Sequence, residues 1–117
     1  MLINKKTKKV IAKKVINFKS IHQIGVGLMF RTKAFCKNKA FLFHLNQKKK
    51  YCVTMLFVFF ELDILFLDEK FRVVKIKKNI KPFVFNYDPK TRFKYMVELL
   101  SANRNIKVGD VLEFNEV

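Results

Sequence analysis

The stretch from Cys52 to Lys77, CVTMLFVFFELDILFLDEKFRVVKIK, constrains the fold more than any other part of the sequence. Val53 to Phe60 is apolar in both phases of an alternating pattern apart from Thr54, and Leu62, Ile64, Leu65, Phe66 and Leu67 continue the run around Asp63. β-Branched and aromatic residues at this density suit a strand covered on both sides better than a helix with one wet face. Asp68, Glu69 and Lys70 break the run, after which Phe71, Val73 and Lys75 alternate with Arg72, Val74 and Ile76. The pattern predicts two long strands joined as a hairpin by a short charged turn.

The same stretch does not read as a membrane span. A spanning helix needs about 20 mostly apolar residues. Glu61 and Asp63 interrupt this one near its middle, and each acid at a helix centre costs roughly 2.5–3.5 kcal/mol on insertion scales. Leu2 and Ile3 are followed at once by Lys5, Lys6, Lys8 and Lys9, so a secretory leader has no apolar core there. Cys36 and Cys52 form no CxxC pair and read as two free thiols of a reducing compartment. A cytoplasmic location is therefore expected.

The remaining chain predicts further short strands. Val10, Ile11, Val15, Ile16 and Phe18 lie among lysines and read as one or two edge strands with lysines outward, which discourages pairing with another chain. Ser20 and Gln23 match a capping box, predicting a short helix from Ile21 toward Gly25 and Gly27. Leu28, Met29 and Phe30 read as core, Thr32 to Lys39 as irregular. Phe41, Phe43 and Leu45 share one face of a strand with His44 on the other, and Asn46 to Lys50 reads as a solvated loop. Pro82 ends the second hairpin strand, NYDPK is a turn, and Phe93 to Leu100 and Val111 to Phe114 are the last strands, separated by a short turn or helix from Ser101 to Asn105. The sum is a small, mainly β fold with one short helix. At 117 residues the chain fits one domain, residues 1–117, with 1–9 expected as a flexible basic amino terminus.

Charge is the most conspicuous global property. There are 25 basic and 9 acidic residues, a net charge of +16, which favours polyanions and anionic surfaces. Only Arg31, Arg72, Arg92 and Arg104 are arginine, whereas specific phosphate or base readout makes more use of the guanidinium fork. A general lysine-rich bias would give the same profile. If the charge is functional, Lys48, Lys49, Lys50, Lys75, Lys77, Lys78 and Lys81 are the candidate polyanion contacts, expected to converge with the amino-terminal lysines.

Catalytic and cofactor motifs are missing from the sequence: no glycine-rich phosphate loop, HExxH, GxSxG or acidic calcium loop occurs. With His22 and His44 as the only histidines, neither a metal nor a cofactor is expected. Asp63 stands out as an acid among apolar residues, which must be paired, hydrogen-bonded or at a sheet edge.

Several segments in order resemble the DUF192 family, also called UPF0127. They are GLMFR from Gly27, AFLF from Ala40, LDILFLDEKFRVV from Leu62 to Val74, Pro82, YMVEL from Tyr95, and IKVGDVLEF from Ile106 to Phe114. The resemblance implies a compact, sandwich-like or barrel-like β fold with one short helix, and it does not imply a known activity. The family's Trp-Met-Lys-Asn-Thr-like segment is matched by Thr54 to Val58, keeping only Met55, and its turn glycine is replaced by Phe71. Matching polar residues that form a candidate ligand site are Arg31, Asp63, Glu98 and Asp110. Phe71 is predicted to rebuild its turn at negative φ, its ring covering apolar surface.

A non-catalytic binding or accessory role with an unidentified partner is the leading expectation. Two alternatives stand beside it: weak, sequence-independent contact with nucleic acid or an anionic surface, and an enzyme with a small polar cleft around Arg31 and Asp63.

Overall fold

The structure, a computed structural model, describes residues 1–19, 27–28, 31–55, 57–84, 86–100 and 106–115. Among the described residues, eight strands and one short helix follow in the order β1 (Leu2–Asn4), β2 (Val10–Ala12), β3 (Lys14–Phe18), α1 (Lys33–Cys36), β4 (Lys39–Lys50), β5 (Leu62–Leu67), β6 (Val73–Ile80), β7 (Arg92–Leu99) and β8 (Leu112–Phe114). They build two sheets, β2-β1-β8 and β3-β4-β7-β5-β6, neither of which closes into a barrel. The mainly β expectation holds.

Three layers explain the burial pattern. Alternate residues of the five-stranded sheet point to opposite faces. One face carries Leu42, Leu65, Leu67, Val97 and Leu99, which pack against Leu2, Ala12 and Leu112 of the small sheet. The other carries Phe41, Phe43, Leu62, Ile64, Phe66 and Phe93, covered by Leu28, Cys36 and the segment Val53, Met55, Val58 and Phe60. All six residues of β5 are consequently buried, as its two-phase apolar pattern predicts.

The hairpin of β5 and β6 is formed, with Leu65 opposite Ile76 and Phe66 opposite Lys75. Its predicted first half is corrected. Val53 to Phe60 is an irregular cover, tied down by reciprocal Val53 and Tyr87 backbone bonds and by Met55 N–H donating to the Val84 carbonyl at 2.7 Å. Phe57 at φ 59° turns this segment back on itself. Apolar density reports burial, and a covering loop is buried as well as a strand is.

Four other readings change. Asn46 to Lys50 is strand, the exposed end of β4, with Lys49 opposite Phe93 and Lys50 opposite Arg92 beyond a bulge. Within 32–39, residues 33–36 form α1, capped by the Thr32 hydroxyl, which accepts from the Phe35 N–H at 3.1 Å. Leu2–Asn4, in the stretch expected to be flexible, is the middle strand of the small sheet, with Leu2 fully buried. Two apolar residues suffice there because only one face of β1 needs covering. Phe71 has φ +60°, against the predicted negative value. The Asp68 carboxylate accepts from the N–H groups of Lys70 and Arg72 and thereby keeps the three-residue turn in its ordinary left-handed-ending form. The other half of that expectation holds: the ring packs on Tyr95 and Phe114 at 4.5 and 5.0 Å between centroids. The helix expected at Ser20, the core residues Met29 and Phe30, and the 101–105 connection lie outside the described residues.

Candidate functional site

Between the two sheets the packing is incomplete on the side of β3 and β8, leaving an open cleft of about 860 Å³. One wall is β3 with its parallel neighbour β4, contributing Val15, Asn17, Leu42 and His44, which share a face by alternation and register. The other is the stretch from Val111 to Asn115, held in place because β8 pairs with β1. Phe71 closes one end. Leu42 and Leu112 are buried, whereas Val15, Phe71 and Phe114 are half-buried, giving the cleft an apolar floor.

The rim is cationic. Lys5, Lys13, Lys14, Lys19 and Lys70 line it, against Glu113 as the one lining carboxylate among the described residues. A polar pair lies within: His44 Nε2 and Asn17 Oδ1 are 2.7 Å apart, with the imidazole set edge-on to Tyr95. Burial, and then the charges of Lys19 and Lys94, hold the His44 pKa below its ordinary value. A neutral imidazole with cations around it can accept a proton when an anion arrives.

The four polar residues expected to share a site are dispersed. Asp63 faces the small sheet, where one carboxylate oxygen accepts from the Asn79 N–H at 2.7 Å. Asn79 sits at φ 55°, and the pairing register shifts there, so Asp63 braces a bulge. Asp110 accepts from Lys107 N–H at 2.9 Å and Asn4 Nδ2 at 3.0 Å, the bonds that, with nearby lysine charge, keep its pKa low. Its neighbour Gly109, at φ +100°, supplies the turn conformation that side chains disfavour. Asp110 and Asp63 are tied to opposite ends of β6, near Val73 and Asn79, six residues or roughly 20 Å apart.

Glu98 points to the opposite face, in register with Phe41 and Ile64. Burial pushes its carboxyl up to about 8. Arg31 is exposed, its guanidinium 5.0 Å from the Phe35 ring centroid. Arg31 and Glu98 do share a neighbour: Cys36, whose thiol burial raises to about 11, with Glu98 adding to that and Lys39 and Arg31 opposing it. A thiol so shifted is protonated at neutral pH. Arg31 and Asp63 are thus on opposite faces of the sheet. Among the described residues, no three of His, Cys, Asp or Glu assemble as metal ligands would.

The surface lysines divide as well. Lys48 pairs with Glu69 at 3.2 Å and Lys81 with Glu61. Lys77 stands over Tyr87. Lys48, Lys49 and Lys50 lie beside the β5–β6 turn, while Lys78 and Lys81 lie at the far end of β6, an edge strand three places from β4. Of the cleft lysines, Lys5, Lys13, Lys14 and Lys19 come from the amino-terminal part of the sequence and Lys70 from the β5–β6 turn. The missed signal was in β3, where Val15 and Asn17 share one face between Lys13 and Lys19, but the wall opposite them depends on a pairing between the two ends of the described chain.

The sequence matches the family model DUF192, described as Uncharacterized ACR, COG1430, over residues 2–114. The chain belongs to the DUF192 family. Two solved structures share its fold. One, a candidate transcription regulator from Sinorhizobium meliloti 1021, superposes with a TM-score of 0.76 at 24% identity, over 85% of this chain and 79% of the other. The second, a protein of unknown function from Novosphingobium aromaticivorans DSM 12444, gives a TM-score of 0.80 at 20% identity, over 97% and 82%. No curated protein matches. Of the segment 54–58 of this DUF192 chain, Met55 and Val58 are buried over the sealed face, and none of its described residues lines the cleft. Among the described residues, no helix is long and apolar enough to cross a membrane.

Proposed function

We propose that this DUF192 protein is a non-catalytic binding domain whose ligand is anionic and sits in the cleft between the sheets. The observation that carries the reading is the lysine-rich lining: five lysines contribute to one concavity, with Glu113 the one lining carboxylate among the described residues. Low-dielectric walls concentrate the field of such a cleft on an entering anion. Its volume falls in the range of about 300–1,000 Å³ common for small-molecule sites. The separation of Arg31 from Asp63 across the two faces of the sheet favours this reading over an enzyme with a polar cleft around that pair.

A second reading, diffuse polyanion contact through Lys49, Lys50, Lys75, Lys77 and Lys78, is favoured by the net charge of +16. Such contact would be sequence-independent, with Kd roughly 10⁻⁴ to 10⁻⁶ M at physiological salt. Calorimetric titration with pyrophosphate and with mixed-sequence RNA, each at low and physiological salt, separates the two. Reversing the exposed rim charges with Lys13→Glu and Lys19→Glu should weaken pyrophosphate binding about tenfold or more. Reversing Lys75 and Lys78 on the far edge strand should leave it nearly unchanged. Equal losses in the two double variants would show that no cleft is involved and favour the diffuse reading.

A further inference from the structure

We infer that the cleft takes an amphipathic organic anion, one with an apolar body for the floor and a phosphate or carboxylate head for the lysine rim. The inference rests on the proposed anion site and narrows its ligand class. An inorganic ion would engage the rim and leave the floor wet. That floor is substantial: Leu42, Leu112, Val15, Phe71 and Phe114 all line the same concavity. Phe71 and Phe114, with ring centroids 5.0 Å apart, form an aromatic corner beneath Lys70. Apolar surface of this kind gains from being taken out of water roughly in proportion to its area.

The lysines border the floor at more than one place. Lys13 and Lys19 flank β3 next to the Asn17 and His44 pair, and Lys70 precedes Phe71 at the aromatic corner. A ligand in the cleft would set its charged head against the rim and its hydrocarbon or ring on the floor. A second copy of this chain is a poor occupant, because each copy carries +16 and the rim lysines would face more positive charge. A bare polyanion such as RNA is also poorly matched, since the floor is recessed behind the rim. The chemistry shared by an alkyl phosphate and a fatty carboxylate is what the cleft fits.

The test is a homologous series. Inorganic phosphate, then ethyl, butyl, hexyl and octyl phosphate below their micelle concentrations, are titrated into the full chain by calorimetry. A matching carboxylate series distinguishes the head group. In parallel, the His44 ring resonances are followed by NMR. Burial of each added methylene should raise affinity about fourfold until the floor is covered. The His44 ring signals should shift, and its titration should move upward as the bound anion offsets the nearby lysine charge.

A flat series, with phosphate binding as well as octyl phosphate, would overturn the amphipathic assignment and leave the anion site standing. No binding by any member would overturn both. A rising series with unmoved His44 resonances would also overturn the assignment, because the hydrocarbon would then be elsewhere, such as against the exposed pair Phe59 and Phe83.

Discussion

The two faces of the five-stranded sheet are built from the same alternating strands and end in opposite states. One is closed by phenylalanine. Phe41, Phe43, Phe66 and Phe93 are fully buried there under a covering loop and α1. The other is covered over β5 and β7 by the small sheet and stays open beside β3 as the lysine-rimmed cleft. The difference teaches that coverage, more than the strands' own composition, decides which face can hold a ligand. It also sorts the charged groups. The closed face holds a carboxyl that must remain neutral, Glu98, while the open face holds ammonium groups that remain in water.

The strongest way to break the contrast is to truncate one residue on each face. Phe66 contacts Phe93 at 4.8 Å between centroids and is wholly buried, so Phe66→Ala should cost about 3–5 kcal/mol. Val15 lines the cleft and is half-buried, so Val15→Ala should cost about 1 kcal/mol or less. Urea unfolding of both variants measures this directly. Similar losses would mean that the cleft side is packed as tightly as the phenylalanine side.

Next in size is the titration of Glu98. Its folded pKa of about 8 lies above its reference value of 4.5, so between these values the folded protein keeps a proton that the unfolded chain releases. Stability from this group is complete below about pH 4.5 and is lost as pH rises toward 8. The slope is at most about 1.4 kcal/mol per pH unit, reaching roughly 3 kcal/mol by pH 7. Glu98→Gln has no charge to bury and should lack this slope. The difference in stability between wild type and variant, followed from pH 5 to 8, isolates the term from every other titrating group. Parallel curves would show that Glu98 ionises freely and that this face is wetter than its phenylalanines imply.

Much of the closed face was legible in the sequence, because its signals are local. The two-phase apolar run of β5, the Phe41, Phe43 and Leu45 alternation of β4, and the hairpin after Asp68 all survive in the structure. What failed was telling a buried strand from a buried loop at Val53 to Phe60, since both remove the same side chains from water. The open face was much less legible. Its walls come from β3 and β8, whose positions follow from the Leu2 to Phe114 pairing between distant segments. Asp63, Glu98 and Asp110 stand out in the sequence as candidates for one polar site. Only the topology reveals that one braces a bulge, one is buried neutral on the other face, and one holds a turn.

The smallest expected effect lies at Phe71, where the open face ends. Its backbone is at φ +60°, a conformation that disfavours a side chain by about 1–2 kcal/mol. Its ring meanwhile packs on Tyr95 and Phe114, and aromatic pairs of this kind contribute roughly 0.5–1.5 kcal/mol beyond area burial. Phe71→Gly loses the ring and relieves the backbone, whereas Phe71→Ala loses the ring and keeps most of the strain. Both variants should be less stable than wild type, because packing outweighs strain. Glycine should nonetheless be the milder change by about 1 kcal/mol, the reverse of the usual alanine advantage. The comparison cancels the ring and reads the backbone alone. Alanine equal to or better than glycine would mean that the turn relaxes away from positive φ once the ring is gone. The left-handed conformation would then be a consequence of the aromatic corner at the cleft, with no independent origin in the Asp68 hydrogen bonds.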